Sequence, residues 1–145
     1  MTDRPTVGHV HLRVRDLDRA VGFYRDVFDL TVRERVGRYA FLSWGDQHHD
    51  VALQAVGDGA PGPGAGVGLY HAAIEVPDEA ALAGVADRLD ERGVPVSPVD
   101  HGISLALYFD DPDGNGLEAY LDTRERTDEW AGRSQPFDPA TLSRD

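Results

Sequence analysis

Glu118 is the one carboxylate in a stretch, Leu117-Glu118-Ala119-Tyr120-Leu121, whose apolar residues alternate as they would along a strand. The preceding turn is already supplied by Asp111-Pro112-Asp113-Gly114, where proline sets one φ and glycine gives the permissive position, so Glu118 belongs to the strand. A carboxylate on a half-buried strand is costly unless it is ion-paired, hydrogen-bonded or bound to a metal. The six histidines, at positions 9, 11, 48, 49, 71 and 101, fall at strand starts or adjoining turns, none in a helix or in the tail. His9-Val-His-Leu-Arg-Val14 lies on His71-Ala-Ala-Ile-Glu-Val76, and Asp16 and Gly22 fall on Asp78 and Gly84, each pair 62 positions apart. His9 and His71 therefore hold the same place in two copies of one unit, and pseudo-symmetry should bring them to a shared cleft. Val51-Ala52-Leu53 matches Leu117-Glu118-Ala119, so Ala52 stands where the second copy has Glu118. Two histidines and one carboxylate remain, a facial set with open positions that suits non-haem Fe(II) or Mn(II). Taken singly, each of these residues has a plainer reading as a packed histidine or a paired strand carboxylate.

The elements that must position them follow from periodicity. Val10, Leu12 and Val14 alternate with His9, His11 and Arg13, which predicts a first strand. Asp16 or Asp18 caps a helix whose Ala20, Val21, Tyr24, Val27 and Phe28 recur at helical spacing. Two short strands turning near Gly37 are expected from about 31 to 44, and another over Asp50-Val51-Ala52-Leu53-Gln54-Ala55. After the Gly/Pro-rich connector 57–68 the pattern restarts with a strand at 69–76, a helix capped by Asp78 and closed by Gly93, and strands near 94–99, 104–110 and 116–122. The expected architecture is α+β: one domain over 1–145, with βαβββ modules at about 6–56 and 69–122 sharing a curved mixed sheet around a metal cleft. A polar arm, 123–145, follows, with Trp130 and Phe137 as isolated anchors; an arm over the domain, an arm over a dimer partner, and partial disorder are all open.

Composition narrows the function. The chain has 145 residues, 41% of them hydrophobic, and no apolar run long enough to span a membrane. A formal charge of −12, with all 14 basic residues arginine, argues against nucleic acid or an anionic membrane as partner. The absence of cysteine limits a metal site to imidazole and carboxylate and fits a cytoplasmic protein. The stretch Met1-Thr2-Asp3-Arg4-Pro5 has no basic region leading into an apolar core, so no signal or transit peptide is expected.

The motifs Gly8-His9-Val10-His11-Leu12-Arg13-Val14-Arg15-Asp16-Leu17, Phe23-Tyr24-Arg25-Asp26-Val27, Tyr70-His71-Ala72-Ala73-Ile74 and Asp111-Pro112-Asp113-Gly114 carry a family resemblance over about residues 6–122. The chain resembles the vicinal-oxygen-chelate superfamily of glyoxalase, bleomycin-resistance and extradiol-dioxygenase proteins. Within it, His48-His49-Asp50-Val51-Ala52-Leu53 and the segment from Asp100 to Tyr108 look like the acid–base segments of small single-domain catechol 2,3-dioxygenases. The resemblance implies a glyoxalase-like fold and Fe(II), with Mn(II) as alternative, on His9, His71 and Glu118. It implies His49 as the base that takes a catechol proton, Tyr108 as the group hydrogen-bonding a substrate oxygen, and His101 as a further pocket histidine. Strict alternation instead puts His48 on the face of Ala52, unless the strand begins only at Asp50. The implied reaction is extradiol cleavage of a small aromatic 1,2-diol with O2. Its rivals are a glyoxalase-like metal-dependent isomerase or lyase, whose usual set of two His and two Glu the Ala52 position lacks, and a metal-free drug-binding protein. Pairing of the modules within one chain and their exchange across a homodimer are both open, and Arg13 is a local attraction for a carboxylated substrate.

Overall fold

Asp16 accepts the Arg19 backbone N–H at 2.9 Å and thereby starts α1 (Leu17–Phe28), whose apolar stripe Ala20, Val21, Tyr24, Val27 and Phe28 is buried. The computed structural model to which this helix belongs describes residues 3–145; Met1 and Thr2, part of the N-terminal stretch read above, lie outside the described residues. The chain falls into two units, one ending at Gly62 and the other beginning at Pro63, so the division lies inside the Gly/Pro-rich connector.

In the first unit β1 (Val10–Val14), β2 (Thr31–Val36), β3 (Tyr39–Ser43) and β4 (Val51–Ala55) form a mixed sheet of order β1-β4-β3-β2, with β1 parallel to β4. Leu12 and Val14 on β1, Ala40 and Leu42 on β3 and Val51 and Leu53 on β4 join the α1 stripe in its core. His11 and Arg13 face outward, as the alternation predicts.

The second unit repeats the plan. Asp78 accepts the Ala81 N–H at 2.8 Å and caps α2 (Glu79–Glu91), which Gly93 ends in the left-handed conformation at φ +70°. Its sheet runs β5-β8-β7-β6-β9, from β5 (Ala72–Val76), β6 (Ser97–Asp100), β7 (Ser104–Asp110), β8 (Gly116–Asp122) and β9 (Gln135–Pro136), with β5 parallel to β8. Leu82, Val85 and Leu89 of α2 are buried with Leu107, Leu117 and Ala119. The arm is ordered against this unit: β9 pairs with β6, Leu142 is buried, the Ser143 N–H donates to Glu79, and Arg144 pairs with Asp87.

Candidate functional site

His9 ends the approach to β1, and its ring lies 4.5 Å from that of His49, centroid to centroid. The turn carrying His49 is built by side chains. Ser43 Oγ donates to the Gln47 carbonyl at 2.7 Å, the Trp44 indole donates to the Phe28 carbonyl at 2.8 Å, and the Gln47 amide donates both to Asp50 and to the Gly8 carbonyl beside His9. Asp50 accepts the Trp44 N–H as well, so its carboxylate closes the turn. β4 begins at Val51, after both histidines, so the alternation that favoured His48 does not reach back to it. His48 Nε2 lies 2.9 Å from Glu34 Oε1, and the two histidines meet Nδ1 to Nδ1 at 3.0 Å. A carboxylate only accepts. With both rings neutral, His48 carries its proton on Nε2, His49 Nδ1–H donates to His48 Nδ1, and the His49 Nε2 lone pair is left open. Burial lowers the His49 pKa below the usual imidazole value, and the charges that His9 and His48 would carry lower it further, against the opposing pull of Asp50. The ring of Phe41 lies 5.0 Å from that of His49 and 5.6 Å from that of His48.

In the second unit Glu118 is 8% exposed and its Oε1 lies 3.0 Å from His71 Nε2, the partner that its burial demands. The carboxylate accepts, so in the metal-free protein His71 carries a proton on Nε2. Close approach of two backbones makes this pairing: a Cβ on Gly116, at the head of β8, would stand 2.5 Å from the Tyr70 carbonyl, so only glycine fits beside the segment that delivers His71. Tyr108 lies directly opposite Glu118 across the β7–β8 pair, and its ring is 5.6 Å from that of His71. Burial pushes the Tyr108 pKa up to about 12, with help from the charge of Glu118 and a hydrogen bond to it. His101 Nε2 meets the Tyr108 hydroxyl at 2.8 Å.

Strand register makes the comparison between copies exact where the linear sequence does not. Ala52 is the β4 partner of His11 on β1, and Glu118 is the β8 partner of Ala73 on β5, positions that the repeat equates. On the other side Ala52 faces Phe41 and Glu118 faces Tyr108. Phe41 thus stands where Tyr108 stands, a substitution that sequence reasoning missed, as it missed Glu34, Gln47 and Gly116. The structure brings His9 to His49 in one unit, and joins His71, Glu118, Tyr108 and His101 in the other. Among the described residues, no three His, Asp or Glu side chains stand together as a group arranged to take a metal ion. The remaining candidates have local partners: His11 meets Gln54 at 3.2 Å, and the Tyr120 hydroxyl donates to Glu75.

The chain matches the Glyoxalase/Bleomycin resistance protein/Dioxygenase superfamily over residues 6–119. It belongs to that superfamily. A catechol-2,3-dioxygenase of Bacillus subtilis is 36% identical over 122 residues, 83% of this chain, although the chain spans only 43% of that protein's length. A biphenyl-2,3-diol 1,2-dioxygenase of Rhodococcus globerulus is 34% identical over 95% of this chain and 76% of its own. More distant is the glutathione transferase FosA of Serratia marcescens, 29% identical over 80% of both chains. Among solved structures, a glyoxylase/bleomycin resistance protein/dioxygenase domain from Frankia sp. EAN1pec superposes with a TM-score of 0.67 at 27% identity, covering 83% of this chain and 99% of that one. The α+β architecture is that of the glyoxalase-like fold.

Proposed function

We propose that the chain is an extradiol ring-cleaving dioxygenase acting on a small aromatic 1,2-diol with O2, in which His9, His71 and Glu118 hold one Fe(II), with Mn(II) as the alternative. The observation that carries this reading is the broken symmetry of the β4 and β8 positions: Glu118 is buried against His71 in one copy, and Ala52, fully buried, replaces it in the other. One carboxylate and two imidazoles suit Fe(II) or Mn(II). Two of the three proposed donors suit such a cation: His71 Nε2 and Glu118 Oε1 already face each other with only a proton between them, and ligation would expel that proton.

Fe(II) on His9, His71 and Glu118 would supply the redox chemistry with O2 and the Lewis acidity that makes a diol hydroxyl easier to deprotonate. His49 accepts a diol proton at Nε2, the nitrogen left open when Nδ1–H donates to His48. Its lowered pKa keeps the imidazole neutral and able to accept at neutral pH. Tyr108 stays protonated there and hydrogen-bonds the substrate, and Phe41 gives His49 an apolar wall that keeps bulk water from competing for the proton.

The FosA likeness favours a second reading, a metal-dependent transferase or lyase of the same fold. Ala52 counts against it, since a set of two His and two Glu needs a carboxylate there. Reconstitution with Fe(II) under anaerobic conditions, followed by catechol and then air, separates the two. Yellow absorbance of a ring-opened semialdehyde is the expected result. No colour with catechol or with its alkyl and carboxyl derivatives, despite one metal bound per chain, would overturn dioxygenase activity in favour of the second reading.

A further inference from the structure

Nε2 of His101 meets the Tyr108 hydroxyl at 2.8 Å. Nδ1 lies 2.9 Å from the backbone carbonyl of Arg133 in the C-terminal arm, with the Ser134 hydroxyl, which can accept as well as donate, farther off at 3.3 Å. A carbonyl can only accept, so Nδ1 carries the proton, and in the neutral ring Nε2 presents a lone pair to Tyr108. Tyr108 has a single hydroxyl proton, which His101 Nε2 is placed to accept, and the Glu118 carboxylate stands directly opposite it across the β7–β8 pair as a rival acceptor.

The arm is built to hold that carbonyl in place. The Trp130 indole N–H donates to the same Arg133 oxygen at 2.7 Å, so both lone pairs of the carbonyl are used, and the Trp130 ring meets His101 edge-on at 6.2 Å. The Arg133 N–H closes a four-residue turn on the Trp130 carbonyl, with Ala131 at φ +50° and Gly132 at φ +78°. An alanine in the left-handed region is strained, and the bonds made by this turn must offset that cost. Arg126 and Arg133 both pair with Asp100, the residue before His101, and β9 then pairs with β6 through Asp100 and Gln135. Four separate contacts thus converge on one backbone oxygen and the residue next to its histidine.

We propose that the arm segment 126–136 is a positioning element for the site: the Arg133 carbonyl fixes His101 as its Nδ1–H tautomer, so that Nε2 competes with Glu118 for the Tyr108 proton. Once the Glu118 oxygens are engaged elsewhere, the Tyr108 hydroxyl turns to His101, and its lone pairs are left to accept from a substrate hydroxyl. The kinetic consequence rests on the ring-cleavage reading; the tautomer does not.

The test is two-bond 1H–15N correlation of histidine-labelled, metal-free protein, with His101→Gln used to assign the signal. His101 should appear as Nδ1–H, the reverse of the tautomer that free imidazole side chains favour. In an Arg126→Ala/Trp130→Phe double variant it should move toward Nε2–H while the other five histidines hold their shifts. With Fe(II) and catechol the double variant should lose kcat by roughly tenfold with KM and metal content unchanged. An Nε2–H or freely mixed His101 in the intact chain overturns the proposal, as does an Nδ1–H signal that survives in the double variant. Absent ring cleavage with the expected tautomers would sink the functional reading and leave this one standing.

Discussion

Replacing Glu118 with glutamine separates the carboxylate's structural role from its role as a ligand. In the metal-free protein glutamine keeps the volume, its carbonyl still accepts from His71 Nε2–H, and its amide can donate to the Tyr108 oxygen; only the charge assistance is lost. That loss is worth about 1 kcal/mol, or roughly 2–4 °C in Tm for a domain of this size. The proposed ligand role would be larger. A metal present at a hundred times its dissociation constant stabilises the folded chain by about 2.7 kcal/mol, a rise of roughly 5–11 °C by the same conversion. Scanning fluorimetry with Mn(II), which air does not oxidise readily, should therefore show a small mutational shift and the loss of a metal-induced shift more than twice as large. A Glu118→Gln protein that gains as much from Mn(II) as the wild type would refute the ligand set. So would a wild-type protein that gains nothing at saturating metal.

Other substitutions isolate the remaining parts. His49→Gln should lower turnover by about 10²–10⁴-fold with metal content unchanged by elemental analysis; loss of metal would make His49 structural instead. Gly116→Ala forces a Cβ against the Tyr70 carbonyl, so chemical denaturation should register a loss of about 1–3 kcal/mol, together with a smaller Mn(II) shift, because the backbone that must move carries His71. The Asp100 carboxyl feels burial pushing its pKa up, but the Gly102 N–H and the Arg126 and Arg133 guanidiniums outweigh it and hold it below the usual range. Its stabilisation of the arm is therefore complete above about pH 3.9 and is lost as pH falls through the lower folded value. Limited proteolysis of the arm should therefore stay slow from neutral pH down to that point; cleavage that accelerates already near pH 6 would refute the assignment to Asp100.

Local signals in the sequence were enough for most of the frame. Capping aspartates at 16 and 78 and the Gly93 stop are local devices, so both helices begin and end where the spacing predicts, and β7 and β8 match the expected 104–110 and 116–122. His9 and His71 sit just before their strands, which begin at Val10 and Ala72 and are shorter than the alternation suggests. The arm was illegible for the opposite reason. Its order comes from distant partners, Asp100 for the two arginines and α2 for the segment around Leu142, and the buried anchor is Leu142, while Trp130 is half exposed. Phe41 went unnoticed because its equivalence to Tyr108 exists only in the hydrogen-bonded register. Loops of unequal length put 67 residues between those two, against 62 between the histidines.

The division of labour between the copies has an electrostatic logic. A dipositive ion on the proposed set of one carboxylate and two neutral imidazoles would keep one net positive charge, which a singly deprotonated diol could neutralise. A second carboxylate at position 52 would cancel that charge before substrate arrived, in a protein already at −12. Ala52, completely buried, avoids both the cancellation and the burial of another anion. Phe41 beside His49 extends the same choice, since a protic group opposite Ala52 would compete for the proton that the proposed mechanism gives to the imidazole. The second copy holds the opposite chemistry, an anion at Glu118 and a hydroxyl at Tyr108 that keeps its proton. Duplication supplied two equal frames, and at these positions one of them is anionic and protic while the other is neutral and apolar.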